Sequence, residues 1–302
     1  MTTLTSPPAV LSHRFFSPGR VWALAINTLT ELIRQKIFYF LLIFALFVIG
    51  NSAFMENFSF EQEFQMLKDV SLGAMSIFTS LIAMLATAFL LPKDIEDRTL
   101  YTLLAKPVPR YEYLLGKLLG VMLLLFLSVL LMSALFVAVL AVREQMVLSE
   151  TYAQLKGAPP ADISAAILKV KSSALNINLL PGIIIIFIKA SLLVAMTLLI
   201  STFASSGIFT AMVAMAVYFI GHMQATARDY WLQSIDASWV TRVFLAIVAL
   251  FFPDFQAFNL IDGVVVGTAI PFDLFMRVFA LGIAYIVVYY FLAAFIFSGK
   301  EL

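Results

Sequence analysis

Few side chains in this sequence are placed to do chemistry. There is no cysteine, which removes disulfides, thiolate metal sites and a cysteine nucleophile. The two histidines, His13 and His222, lie too far apart to pair on one helix, so no metal site is expected. Lys189 interrupts the apolar run IIIIFIKASLL. A cation inside a membrane span costs about 2.5–3.5 kcal/mol on insertion scales, so it faces protein or water rather than lipid. Two readings of Lys189 stand side by side. It marks a cargo pathway and meets an anionic cargo group, or it is structural, paired with Asp254 or Asp262 or snorkelling to the outer face. The other polar concentration is the proline-bounded stretch between Pro92 and Lys117, which carries Asp94, Glu96, Asp97, Arg98, Lys106 and Arg110. A helix fits Lys93–Ala105. Ile95, Thr99, Leu100, Leu103 and Leu104 make one face, and Asp94, Asp97, Arg98 and Tyr101 the other, at i, i+3, i+4, i+7 spacing. Asp94 and Arg98 stand in the favourable i, i+4 order. Pro92 is expected to end the preceding span, and Pro107 and Pro109 to stop the loop helix. The segment reads either as a solvated loop or as a docking helix whose apolar face rests on the protein and whose polar face meets a soluble subunit.

The elements that hold these residues are membrane spans. Of 302 residues, 62% are hydrophobic and 12% charged, with mean hydropathy +1.00. Soluble domains are about half apolar and a quarter charged. A run of about 20 apolar residues crosses the hydrocarbon core, and six are expected, at 37–54, 71–92, 114–142, 181–204, 207–226 and 273–297. The third exceeds the bilayer thickness and is expected to project into the cytoplasm. The first begins late for a signal peptide and lacks a small-residue cleavage pattern. Basic residues gather at one set of span ends, among them Arg20, Arg34, Lys36, Lys93, Arg98, Lys106, Arg110, Lys117 and Lys300, whereas acids gather at the other. Both termini and the 92–116 loop are therefore expected in the cytoplasm. The net charge of +1 gives no reason to expect nucleic acid.

Residues 1–16 read as a disordered tail, and 17–302 as a single six-span domain. Within it, 17–36 forms an amphipathic helix. Ser17 is its cap, Pro18 its first residue, and Val21, Leu24, Ala25, Thr28, Leu29, Leu32 and Ile33 its apolar face. With Trp22 as anchor it suits the membrane interface. Residues 143–180 are an external segment, with a helix after Pro159-Pro160. Ser205-Ser206-Gly207 is a tight turn between the fourth and fifth spans. The region 228–272 holds apolar runs too short to span and reads as re-entrant or surface-lying helices. The fold class expected is all-α integral membrane protein: six transmembrane helices, an N-terminal interfacial helix, a cytoplasmic loop helix, and re-entrant or external helices before the last span.

The stretches Asp94-Ile95-Glu96-Asp97-Arg98-Thr99-Leu100, Leu103-Leu104-Ala105-Lys106-Pro107-Val108-Pro109-Arg110 and Leu114-Leu115-Gly116-Lys117, in this order of elements, resemble the membrane subunits of ATP-binding-cassette type-2 exporters. Phe252-Pro253-Asp254-Phe255-Gln256-Ala257-Phe258-Asn259-Leu260 resembles an external segment of the branch grouped with multicopper-enzyme maturation. The resemblance covers nearly the whole chain, although the long 143–180 segment departs from the shortest members. It implies that Lys93–Ala105 is a coupling helix, seated in a separate ATPase subunit through Asp94, Asp97, Arg98 and Tyr101. No GxxxxGK[ST] loop occurs here, so ATP and Mg would belong to that subunit and this chain would hold no cofactor. Six spans are half a transporter, which implies a second copy or a paralogue. Membrane lipids and an extracytoplasmic accessory subunit complete the expected partners, in a bacterial inner membrane. The function implied is a permease moving a cargo, lipidic or hydrophobic among the candidates. The alternative is the same fold used as a mechanical transmitter acting on an extracytoplasmic partner. A membrane-embedded enzyme would need Lys189, His222 and Asp254 to converge in one cavity.

Overall fold

The computed structural model describes residues 16–54, 60–97, 109–156, 159–174, 176, 178–233, 239, 240, 243 and 252–299. Among them no strand occurs. Helix α1, Pro18–Ile33, starts on Pro18, whose missing N–H and fixed φ suit a first helical position. Ser17 precedes it, but its hydroxyl makes no cap bond. Its backbone N–H instead donates to Glu112 Oε1 at 2.8 Å. Val21, Ala25, Thr28 and Leu32 form the buried stripe of α1, as the periodicity required, and Trp22 is exposed.

Helix α2, Lys36–Asn51, leaves α1 at a bend of 71°. At ~1.5 Å per residue it is about 24 Å long, short of the ~30 Å hydrocarbon core. Among the described residues, five helices are long and apolar enough to cross a membrane alone, and up to six if the bent α1–α2 pair counts as one. That agrees with the expected count only when the pair is included.

Helix α3, Phe60–Ala88, starts well before the expected position 71. Its early turns tolerate charge because partners wait for them. Lys68, 2% exposed, donates to the Ser173 carbonyl at 2.7 Å, and Glu63 pairs with Arg143. Pro92 does not end this span. The break falls at Phe89, and Pro92 lies inside a short helix α4, Leu90–Glu96. A proline ring excludes the carbonyl four residues earlier and gives it no N–H. That carbonyl belongs to Ala88, the last residue of α3.

Helix α5, Arg110–Gln154, is 45 residues long, about 70 Å at ~1.5 Å per residue. Its extra length lies chiefly beyond 142, at the end remote from Arg110, and not on the side of the 92–116 loop as expected. Helix α6, Pro160–Ala174, follows the Pro159-Pro160 turn and buries Val170 and Ala174. Helix α7, Leu179–Phe203, is joined to α8, Gly207–Gln233, through Ala204, Ser205 and Ser206. The tight turn expected there is present. Of the 228–272 region, α8 takes the first residues. After position 252 come a 3-10 turn, Phe255–Phe258, and α9, Ile261–Val266. Asp254 caps the turn by accepting from the N–H groups of Gln256 and Ala257. Gly267, at φ 83°, ends α9 in the left-handed conformation that glycine adopts without strain. Helix α10 is Phe272–Ser298.

Helix α7 is apolar on all sides, and such a helix belongs inside a bundle. It is buried along nearly its whole length, enclosed by α3, α5, α8 and α10. The outer helices present the remaining apolar surface, including Phe40, Ile43 and Phe47 of α2, Met212 and Phe219 of α8, and Phe291 and Phe295 of α10. A soluble monomer seldom exposes so continuous an apolar belt. The start of α1 and the end of α10 share one end of the bundle, because Arg110 Nη1 donates to the carbonyls of Phe297 and Ser298 at 3.1 and 2.9 Å.

Candidate functional site

At that end, the residues on either side of 98–108 are anchored by a network of charges. Asp94 on α4 accepts from Lys117 Nζ on α5 at 2.7 Å, and Lys117 lies 3.6 Å from Glu31 on α1. Lys93 donates to Glu31 at 2.7 Å. The Tyr113 hydroxyl donates to Asp94, and its ring stacks on Phe297 of α10 at a centroid distance of 6.1 Å. The Lys117 side chain is only 5% exposed and that of Asp94 11%. Two lysines and two carboxylates balance, and the buried pair among them, Asp94 and Lys117, is itself matched in charge.

A second anchor holds the start of α5. The buried Glu112 carboxylate accepts from Arg20 Nε and Nη2 at 2.8 and 2.9 Å and from the Ser17 N–H. This fork-to-carboxylate geometry is among the strongest charge-assisted arrangements. The Tyr290 hydroxyl of α10 donates to the Tyr111 carbonyl. Helix α1 reaches all of this because Gly116 and Gly120 let it approach closely. A Cβ on Gly116 would lie 2.5 Å from Leu24 Cβ, and one on Gly120 2.6 Å from Thr28 Cβ. Small residues four apart are the usual means of bringing two helix backbones together in a membrane.

The expected contact residues divide. Asp94 is 8% exposed and points into this network, so it anchors the stem and does not offer itself outward. Asp97 is exposed, in the turn after α4. Arg98 and Tyr101, and most of the expected Lys93–Ala105 helix, lie outside the described residues. Sequence reasoning missed Glu31, Glu112, Tyr113 and the Gly116–Gly120 pair. The last left a local signal, two glycines at i, i+4, whereas the others declare themselves only through partners remote in sequence.

Toward the opposite end, a cleft of about 900 Å³ opens between α3, α7, α8 and the 255–262 segment. Lys189, near the middle of α7 and 6% exposed, lines it. Its Nζ lies 3.0 Å from His222 Nε2, and His222 Nδ1 lies 2.9 Å from the Tyr218 carbonyl. A carbonyl only accepts, so Nδ1 carries the ring proton and Nε2 accepts from the lysine. The Tyr218 ring lies 6.0 Å from the ammonium. The ion pair with Asp254 or Asp262 that the sequence allowed is not formed. Asp254 caps the 3-10 turn, and Asp262 lines the cleft without bonding the lysine. Lys189 and His222 thus converge, but Asp254 does not complete a triad with them. Among the described residues no group of three or more His, Asp or Glu is arranged to hold a metal ion.

Comparison with known protein families finds no match to this chain, and comparison with curated proteins finds none either.

Proposed function

We propose that this chain is the membrane-spanning permease subunit of an ATP-binding-cassette exporter in a bacterial inner membrane, working as a pair with a second copy or a paralogue. On this reading the anchored end is cytoplasmic, α1 lies in the membrane interface, and a separate ATPase subunit engages the 93–105 segment. ATP and Mg bind that subunit.

The anchoring of the loop at both stems is the observation that supports the reading best. A flexible loop would absorb a push. Here the outgoing stem is held to α1 and α5 through Asp94, Lys117 and Glu31, and the returning stem to α1 and α10 through Glu112 and Arg110. Displacement of the segment is therefore shared by α1, α3, α5 and α10, and nucleotide and cargo bias the same two states. The contact face moves outward from Asp94 to Asp97, Arg98 and Tyr101, while Asp94 serves as the lever's root. The 255–262 segment is held to α8 and α10, with Phe255 against Gly221 and Phe258 against Gly282.

The test is co-purification with the ATP-binding-cassette ATPase encoded beside this chain. The double variant Asp97→Ala, Arg98→Ala is expected to weaken retention of the ATPase about tenfold, as loss of a central charged contact does. Membrane insertion and thermal stability should not change. Equal retention and equal ATPase stimulation would remove this face from the proposal.

A further inference from the structure

The cleft beside Lys189 combines features that together specify a ligand. Its cation is buried in the middle of a span, where an unbalanced charge costs about 2.5–3.5 kcal/mol. Among the described residues its polar partner is a neutral imidazole nitrogen, which occupies one of three ammonium hydrogens and supplies no negative charge. The buried charge near the start of α5 is balanced by carboxylates, but among the described residues no carboxylate pairs with this one. Ser76 and Ser80 of α3, both buried, line the same cleft, the Ser80 hydroxyl donating to the Ser76 carbonyl at 2.7 Å. The walls on one side are apolar, made by Ile77, Leu81, Met84, Met215 and Phe219. Ile77 is 54% and Phe219 60% exposed, so the cleft is apolar at its outward wall as well. Among the described residues the carboxylates lining it, Asp69 and Asp262, are exposed at its edge and stand against a polyanion. A site with a buried cation at depth and an apolar flank is complementary to a single negative head on a hydrocarbon chain.

We infer that this cleft binds an anionic amphiphile, a carboxylate or phosphate monoanion carrying an acyl chain, with its head on Lys189 and its chain along Ile77, Leu81 and Phe219. This deepens the exporter reading by naming a class of cargo. Its test uses the isolated subunit and no ATPase, so the two can fail separately. Lys189 supplies the charge. His222, held by the Tyr218 carbonyl, fixes the direction of the ammonium.

The experiment is equilibrium binding of a dansyl-labelled undecanoic acid to the full chain in a neutral maltoside detergent, read by fluorescence. Saturable binding is expected, with the methyl ester of the same acid, which keeps the chain and loses the charge, about tenfold weaker or more. Lys189→Met should weaken binding of the acid about tenfold or more and leave the ester unaffected, whereas Lys189→Arg should stay within about threefold of the parent. Gly73→Phe provides a variant that leaves the lysine intact. A Cβ at Gly73 meets nothing within 4 Å, so the side chain enters the cleft without moving backbone. It too should lose about tenfold. Phosphatidic acid should displace the probe, and inorganic phosphate at the same concentration should not. Equal affinity for acid and ester, or an unaltered Lys189→Met, would overturn the placement of the head. Displacement by inorganic phosphate as effective as by phosphatidic acid would overturn the amphiphile in favour of a free anion.

Discussion

Gly120→Leu is expected to separate α1 from α5 and leave the chain unable to assemble its charged end. A Cβ at this position would lie 2.6 Å from Thr28 Cβ and 2.8 Å from the Ala25 carbonyl oxygen. These neighbours are backbone and the root of a branched side chain, not a tip that can swing aside. The whole helix must then move. Overpacking alone costs about 1–3 kcal/mol, and withdrawing the buried side chains of α1, Val21 and Leu32 among them, adds about 1.5–3 kcal/mol for each large one. The measurement is limited trypsin digestion of the detergent-solubilised protein. Cleavage at Arg20, in the first turn of α1, and at Arg34, just after it, should be slow in the parent and fast in the variant. Gly73→Leu is the control, since a side chain there meets open space and should leave the digestion pattern alone. If Gly120→Leu digests as slowly as the parent, the helices do not cross as closely as described.

The second large effect concerns the Asp94–Lys117 pair. Asp94→Ala removes the 2.7 Å partner of an ammonium that is 5% exposed and leaves it only Glu31 at 3.6 Å. Removing one member of a buried ion pair typically costs about 3–5 kcal/mol, because the other remains buried without compensation. Lys117→Met is expected to cost less. The Tyr113 hydroxyl still donates to Asp94, and the thioether side chain fills the lysine's volume. The double variant Asp94→Ala, Lys117→Met should be much more stable than Asp94→Ala alone, with a coupling of about 2 kcal/mol or more in a double-mutant cycle. Thermal unfolding midpoints in detergent give the comparison. Strictly additive losses would mean that the two groups do not act as a pair. On the exporter reading, Asp94→Ala should also uncouple ATPase turnover from cargo while the ATPase stays bound, whereas loss at Asp97 and Arg98 should release it.

The contrast between Asp94 and Asp97 shows where a sequence reading reaches its limit. A continuous helix would put residues three apart on one side, so both seemed to belong to an outward polar face. Helix α4 ends at Glu96 and Asp97 sits in the turn beyond it. The Asp97 N–H still bonds the Lys93 carbonyl at 2.9 Å, so both aspartates follow the helical turn; Asp94 is buried because Lys117 and Tyr113 of α5 reach it, while Asp97 is exposed. Pro92 misled for a related reason. Proline disrupts the helix behind it, at the carbonyl four residues earlier, and then sits comfortably in the first turn of the next. Lys189 stood out as an anomaly in an apolar run, but the group it meets was not legible. His222 is 33 positions away, and only the crossing of α7 with α8 brings the two together. The glycines of LLGKLLG were visible as part of a motif, yet their spacing carried a packing message that went unread.

Composition and local runs were enough to establish an all-helical chain with five to six spans' worth of apolar helix. Helices α7 and α10 fall within two residues of where the apolar runs place them. Lipid solvates no backbone, so a crossing segment must satisfy its own hydrogen bonds over about 20 apolar residues, and that requirement is written locally. The pairing of charges obeys no such local rule. Which carboxylate meets Lys117, and that among the described residues none meets Lys189, depend on how closely α1 crosses α5 and how α7 is enclosed. Those distances come from side chains far apart in the chain fitting together, and only the folded bundle decides them.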